Sequence, residues 1–249
     1  RLRPLRPPCR ADRMAPTPGP PTMPREAGRG AAPSGRSLPD LGPFRGGRLE
    51  THGDYVATDF VGHDFAGQDA SDARLLECRI LRCSLDGASF RRARILESVL
   101  VEVDGASVDL DDTTWRDCEL TGSRLGAVSL IGATWTGVRV RGCNLGFLNL
   151  AGARLEDVRF EGCEIGSLDA RTAGLAAVTF VGCTLDELNV SGASLRDVDL
   201  SDARLRSLVG VESLKGAIVS HAQLVDLAPV LAEQLGLEVR SVDPMPRAG

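Results

Sequence analysis

"RFEGCEIGSLD", Arg159 to Asp169, returns twenty residues later as "TFVGCTLDELN", Thr179 to Asn189, and stands twenty residues earlier as "RVRGCNLGFLN", Arg139 to Asn149. Each copy carries a Gly-Cys pair, so Cys143, Cys163 and Cys183 are spaced twenty apart. Three evenly spaced cysteines raise the question of a metal or redox site. The repeat answers it by fixing where the thiols point.

Stepping by five from Tyr55 to Leu205 meets thirty-one residues, and thirty are apolar; Gly105 alone is not. In a chain that is 43% hydrophobic, the chance of such a run is on the order of one in several billion. Two places before each centre, from Ala73 to Ala203, every residue is Ala, Cys, Ser, Thr, Val or Leu. The other three positions of each five are mostly polar, charged or glycine. A helix repeats at 3.6 residues and a flat strand at 2, so neither fits. A chain that points two of every five side chains inward and then turns a corner does fit.

The small inward positions cycle in fours. Ala133, Ala153, Ala173 and Ala193 fall twenty apart, as do Val138, Val158, Val178 and Val198, and Leu148, Leu168, Leu188 and Leu208. Four fives therefore make one coil with four sides. Trp115 lies one coil below Trp135, and Phe160 one below Phe180. "QDASDARLLECRI" (Gln68 to Ile80) and "GASLRDVDLSDARL" (Gly192 to Leu205) resemble the pentapeptide-repeat family, whose loose motif is A-(D/N)-L-x-x. The resemblance covers about residues 53–208. It implies an all-β fold, a right-handed quadrilateral parallel β-helix of about eight coils, and a homodimer formed through the C-terminal element. Some members are acidic rods that resemble B-form DNA, confer quinolone resistance and occupy the DNA-binding saddle of DNA gyrase and topoisomerase IV.

Residues 1–48 are rich in Pro, Gly and Arg and lack any period, so they read as a disordered tail. Residues 49–215 form the expected solenoid and 216–249 a helical cap and tail. In the cap, Ser220 and Gln223 match a capping box, and Leu224, Leu227, Leu231 and Leu235 follow at helical spacing. Pro229 is expected to split or kink that helix. Gly236 is expected to end it, and Leu237 to Val239 to add a strand. "DGAS" occurs at 86–89 and again at 104–107, eighteen apart rather than twenty. That mismatch predicts a bulge near Glu102 to Ala106, with register restored by Trp115.

In this frame the cysteines point inward in one column, about 4.8 Å apart. A disulfide needs Cβ atoms about 3.5–4.5 Å apart with converging geometry. Zinc needs four ligands, and no histidine occupies the repeats after His63. Cysteine is then a small apolar filler, with Cys78, Cys83 and Cys118 in similar slots. His63 is an awkward inward residue and marks an imperfect first coil. No Gly-rich phosphate loop stands between a strand and a helix, so no catalytic residue, cofactor or metal is expected. No run of eighteen apolar residues predicts a membrane span. The basic start "RLRPLRPPCR" is a poor signal peptide, and seven cysteines without framework spacing suggest a reducing cytoplasm. No methionine opens the chain; a start upstream, at Met14 or at Met23 is compatible with it.

Charge carries the one functional signal. Residues 1–50 hold ten arginines against four acids, a net of +6, which leaves −11 for residues 51–249. That balance argues against direct nucleic-acid binding by the body. Asp54, Asp59, Asp64 and Asp69 form a ladder just before the centres, where a short acid can bond nearby turn backbone. A denser band holds Glu97, Glu102, Asp104, Asp109, Asp111, Asp112, Asp117 and Glu119 against Arg116 alone. Solvated surface and partner-binding face are both open readings of it. The expected role is a non-enzymatic scaffold for a protein partner. Its specific form is a DNA mimic that binds a type II topoisomerase, and its alternative a structural or oligomerising rod.

Overall fold

The computed structural model describes residues 38–239. They lie in the larger of two compact units of the chain, Pro33–Gly249. Of the tail expected at residues 1–48, residues 1–37 fall outside the described residues.

Short parallel strands stack one above another at a separation of twenty residues. Trp115 pairs Ile95 below and Trp135 above, Leu125 pairs Leu145, and Phe160 pairs Phe180. About nine turns result. We number the four sides by their central residues. Leu125, Leu145 and Ile165 lie on the first side, Leu130 and Leu150 on the second, Trp115 and Trp135 on the third, Leu120, Val140 and Phe160 on the fourth. All of these are buried, as are the small residues two places before them. Each central Leu or Phe removed from water contributes roughly 1.5–3 kcal/mol. Backbone bonds between coils, such as Gly142 N–H to the Glu161 carbonyl at 2.8 Å, carry the stack between them.

The corners are of two kinds. Most turn through a left-handed residue at the second place after a centre, such as Gly132, Gly137 or Asp157. The corner between the first and second sides turns this way only at Gly67 and Gly87. From Ser107 onward it stays extended, and the chain runs through it as six-residue strands Asp104–Asp109, Arg124–Ser129 and Asn144–Asn149. At Gly126, Gly146 and Gly166 glycine serves close approach, not positive φ. A Cβ on Gly126 would stand 2.5 Å from the Ala106 carbonyl oxygen, and one on Gly146 2.5 Å from that of Gly126.

This switch replaces the expected bulge. Asp104 pairs Arg124, Gly105 pairs Leu125, and Val108 pairs Ala88, with no break in register. The two "DGAS" copies play different parts: Gly87 turns a corner at positive φ, whereas Gly105 fills a central slot. Asp86 helps set the new corner by accepting from the N–H groups of Ala106 at 2.9 Å and Ser107 at 3.3 Å. A Cβ on Gly105 would stand 3.1 Å from the Leu85 carbonyl carbon and 3.2 Å from Asp86 N, so glycine suits the close approach of the coil beneath.

Both ends depart from the sequence expectation. Gly42–Pro43 pairs Thr58–Asp59, and the Phe44 ring lies 4.7 Å from Phe60 and 5.2 Å from His63. Order therefore begins before residue 49, with Phe44 packed against the axis. His63, inward at this end, stacks on Phe65 at 14°. At the other end Ala217–Ile218 pairs Val198–Asp199. Helix α1 (His221–Gln234) follows as one unbroken helix with Pro229 inside it, not as two. Gly236, at φ +68°, ends it: Leu237 N–H reaches the Ala232 carbonyl and Gly236 N–H that of Glu233. Leu237 to Val239 forms no strand.

Candidate interaction surfaces

A coil closes in twenty residues, so the acids from Glu97 to Glu119 travel once round the solenoid instead of sharing a side. Glu97 and Asp117 stack at the corner between the third and fourth sides. Glu119 lies on the fourth side, Glu102 at the next corner and Asp104 on the first side. Asp109 lies on the second side, with Asp111 and Asp112 at its far corner. The band is a belt, and a single flat acidic face is corrected by that geometry.

Several of these acids are committed to the fold. Arg91 reaches Asp109 at 3.1 Å and Asp111 at 3.0 Å. Asp111 Oδ1 also accepts from Ser129 Oγ at 2.5 Å and from Ile131 N–H at 3.0 Å. Glu119 is buried and meets Arg141 at 2.8 Å, and Arg141 reaches Glu161 at 2.7 Å in the next coil. Burial alone would raise the Glu161 carboxyl; Arg141 and Arg159 outweigh it and hold it below the ordinary range. Glu97 and Asp117 are half-buried, whereas Glu102, Asp104 and Asp112 are exposed.

The lower ladder is also engaged. Asp54 pairs Arg74 at 3.0 Å and Asp59 pairs Arg79 at 2.6 Å. Asp64 accepts from Ala66 N–H at 3.0 Å and Asp69 from Ser71 N–H at 2.8 Å. The same bond to the second residue on recurs at Asn149, Asp169, Asn189 and Asp199. Ser71 holds the Asp69 carboxyl low, and Arg171 does so for Asp169.

The three stacked cysteines are buried free thiols. Cys163 Sγ donates to the Val140 and Glu161 carbonyls at 3.5 Å, and its N–H reaches Cys183 Sγ at 3.4 Å. Contact with Cys143 pushes the Cys163 thiol up to about 11, and the same side-chain contact lowers Cys143.

At the cap, Ser220 and Gln223 close the capping box in both directions. Gln223 Nε2 also donates to the Leu200 and Ala203 carbonyls, each at 2.7 Å, and so ties α1 to the last coil. Leu227 and Leu231 are half-buried, whereas Leu224, Val225, Val230 and Leu235 are exposed.

The Pentapeptide repeats family model matches eight copies within residues 123–162 and 175–207. The chain carries pentapeptide repeats. Among solved structures, the pentapeptide-repeat chain is similar to HetL, a protein involved in heterocyst differentiation regulation in the cyanobacterium Nostoc sp. strain PCC 7120. Identity is 24%, the match covers 69% of this chain and 91% of that one, and the TM-score is 0.29. It is also similar to QnrB1, a plasmid-mediated fluoroquinolone resistance protein. A trypsin-treated form gives 19% identity over 78% of this chain and 96% of that one, with a TM-score of 0.32. The full-length form gives 18% identity over 76% and 97%, with a TM-score of 0.30. No curated protein matches the chain. Among the described residues, no helix is long and apolar enough to cross a membrane.

Two features of the pentapeptide-repeat surface escaped the sequence reading. One is the Arg91, Asp111 and Ser129 cluster, which joins side chains in three successive coils. The other is the Gly126, Gly146 and Gly166 stripe. Its twenty-residue spacing was a usable signal, since it sits one place off the glycines that turn corners.

Proposed function

We propose that the protein is a non-catalytic scaffold that binds a protein partner along its outer wall. The observation that carries this reading is the wall itself. Outward side chains stand in rows one strand spacing apart, and Glu102, Asp104 and Asp112 remain exposed beyond the ion pairs that staple the coils. The body's net charge of −11 suits a basic partner surface. The specific form is occupation of the DNA-binding groove of a type II topoisomerase. Interleaved arginines argue for limited contact by the exposed acids over continuous phosphate mimicry. The test is a gyrase supercoiling assay with the full chain. Inhibition, or relief of quinolone poisoning, at micromolar protein is expected, and Glu102→Lys with Asp104→Lys and Asp112→Lys should weaken it. No effect of the unmodified protein removes the topoisomerase reading.

A second reading, self-association through the cap, is favoured by the apolar residues that α1 leaves in water. Leu224 is 47% and Leu235 72% exposed, and Leu205 and Leu208 of the last coil are only half-buried. Sedimentation equilibrium should show a dimer that Leu224→Glu with Leu235→Glu converts to monomer.

A further inference from the structure

The place directly after each centre points outward. On the fourth side it holds Thr121, Arg141 and Glu161 in the middle coils, but Val61, Leu81 and Val101 in the three coils below. Val61 pairs Leu81 and Leu81 pairs Val101, so the three stand in one column, which ends where Val101 meets Thr121. Val61 is 42% exposed, and Leu81 and Val101 are half-buried. Single apolar residues on a surface need no explanation, but a column in register is a contiguous strip. A second column, Val56, Leu76 and Leu96, stands on the third side and ends at Arg116.

Charge separates the two columns. The third-side column runs beside Arg74 and the exposed Arg94, which repel a basic partner. On the fourth side the neighbouring outward places hold Asp59 paired to Arg79 at 2.6 Å, and then Val99. At its edges, Glu77, Glu97 and Asp117 stand at the corner shared with the third side, and exposed Glu102 stands above Arg82 at the other. An apolar centre with a charged rim is the anatomy of a binding surface. The strands here are paired both above and below, which leaves no free backbone edge for an extended peptide. A helix needs only the face. Two strand spacings, about 9.6 Å, nearly match two helix turns, about 10.8 Å. We infer that the fourth side of the lowest three coils is the docking surface for an amphipathic basic helix of a protein partner. A helix lying along the stack sets one apolar side chain per turn on Val61, Leu81 and Val101, and its flanking Lys or Arg meet Glu77, Glu97 and Glu102. This surface rests on the scaffold reading and gives it a centre, with Glu102 as rim.

The test uses the full-length protein and a synthetic leucine–lysine peptide whose leucines fall at i, i+3, i+4 and i+7. A peptide of the same composition in scrambled order is the control. Fluorescence anisotropy should show saturable binding of the amphipathic peptide and none of the scrambled one. Leu81→Ser and Val61→Ser should each weaken it about tenfold. Val61 is exposed enough to change without opening the core, and melting temperatures report that both variants stay folded. Glu77→Gln with Glu102→Gln should weaken binding and flatten its salt dependence. Equal binding of the two peptides, or unchanged affinity in both serine variants, would overturn the surface. The gyrase assay keeps the two readings apart. Gyrase inhibition without peptide binding would sink the helix surface alone, and peptide binding without inhibition would support that surface and remove only the topoisomerase form.

Discussion

Gly146 stands where the chain presses on the coil beneath, and a Cβ there would lie 2.5 Å from the Gly126 carbonyl oxygen. Backbone on both sides leaves no flexible atom to yield. Gly146→Ala should therefore cost about 1–3 kcal/mol. Gly174 has nothing within 4 Å of its own Cβ position. Gly174→Ala should be neutral or stabilising by about 0.5 kcal/mol, through the lower entropy of the unfolded chain. Urea denaturation of the two variants checks the contrast, and equal costs would refute the close-approach account. Asp111 offers a similar comparison. Asp111→Ala strands Ser129 and Ile131 N–H and leaves Arg91 with Asp109 alone, and should cost about 2–3 kcal/mol. Asp112→Ala, one residue on and exposed, should change stability by less than about 0.5 kcal/mol. Spacing alone made the eight acids look alike. What separates them is which coil-to-coil neighbour each one meets, and a linear count of charge does not contain that.

Within the elements, local rules were legible wherever one coil or one helix turn decides the outcome. The capping box at Ser220 and Gln223 and the stop at Gly236 need only local chemistry. Pro229 does not split α1 because its cost is not prohibitive: it removes one helix bond, and α1 is exposed enough there for water to serve the freed carbonyl. Pro229→Ala should accordingly stabilise the helix, by up to about 3 kcal/mol. Gln223→Ala should act in the opposite direction. It removes the bonds to Ser220 N–H, Leu200 O and Ala203 O, and should loosen α1 while leaving the coils intact. Hydrogen exchange would show faster α1 amides in Gln223→Ala, slower ones in Pro229→Ala, and unchanged protection around Leu145 and Ile165. Global unfolding of Gln223→Ala would mean the cap holds the solenoid together.

For the whole molecule, the five-residue period carried the fold because the core is quasi-one-dimensional: each coil buries its centres against its neighbours alone. The belt of acids was harder to see because a band in sequence becomes a circuit in space once twenty residues close a turn. That geometry also distributes titratable groups along the whole stack, which makes acid stability a property of the assembly. Asp69, Asp72, Asp169, Asp199 and Glu161 are all held below their ordinary range, by serine hydrogen bonds or arginine partners. In the unfolded chain such carboxyls titrate near about 4. Between that value and their lower folded values the unfolded state binds more protons, so stability rises with pH across the window. Their contribution is complete above about pH 5 and is lost as pH falls through the folded values. The melting temperature should hence be flat from pH 7 to about 5 and fall steeply below about 4. Scanning calorimetry across that range checks the sign, and a melting temperature unchanged down to pH 3 would show that these carboxylates do not hold the coils together.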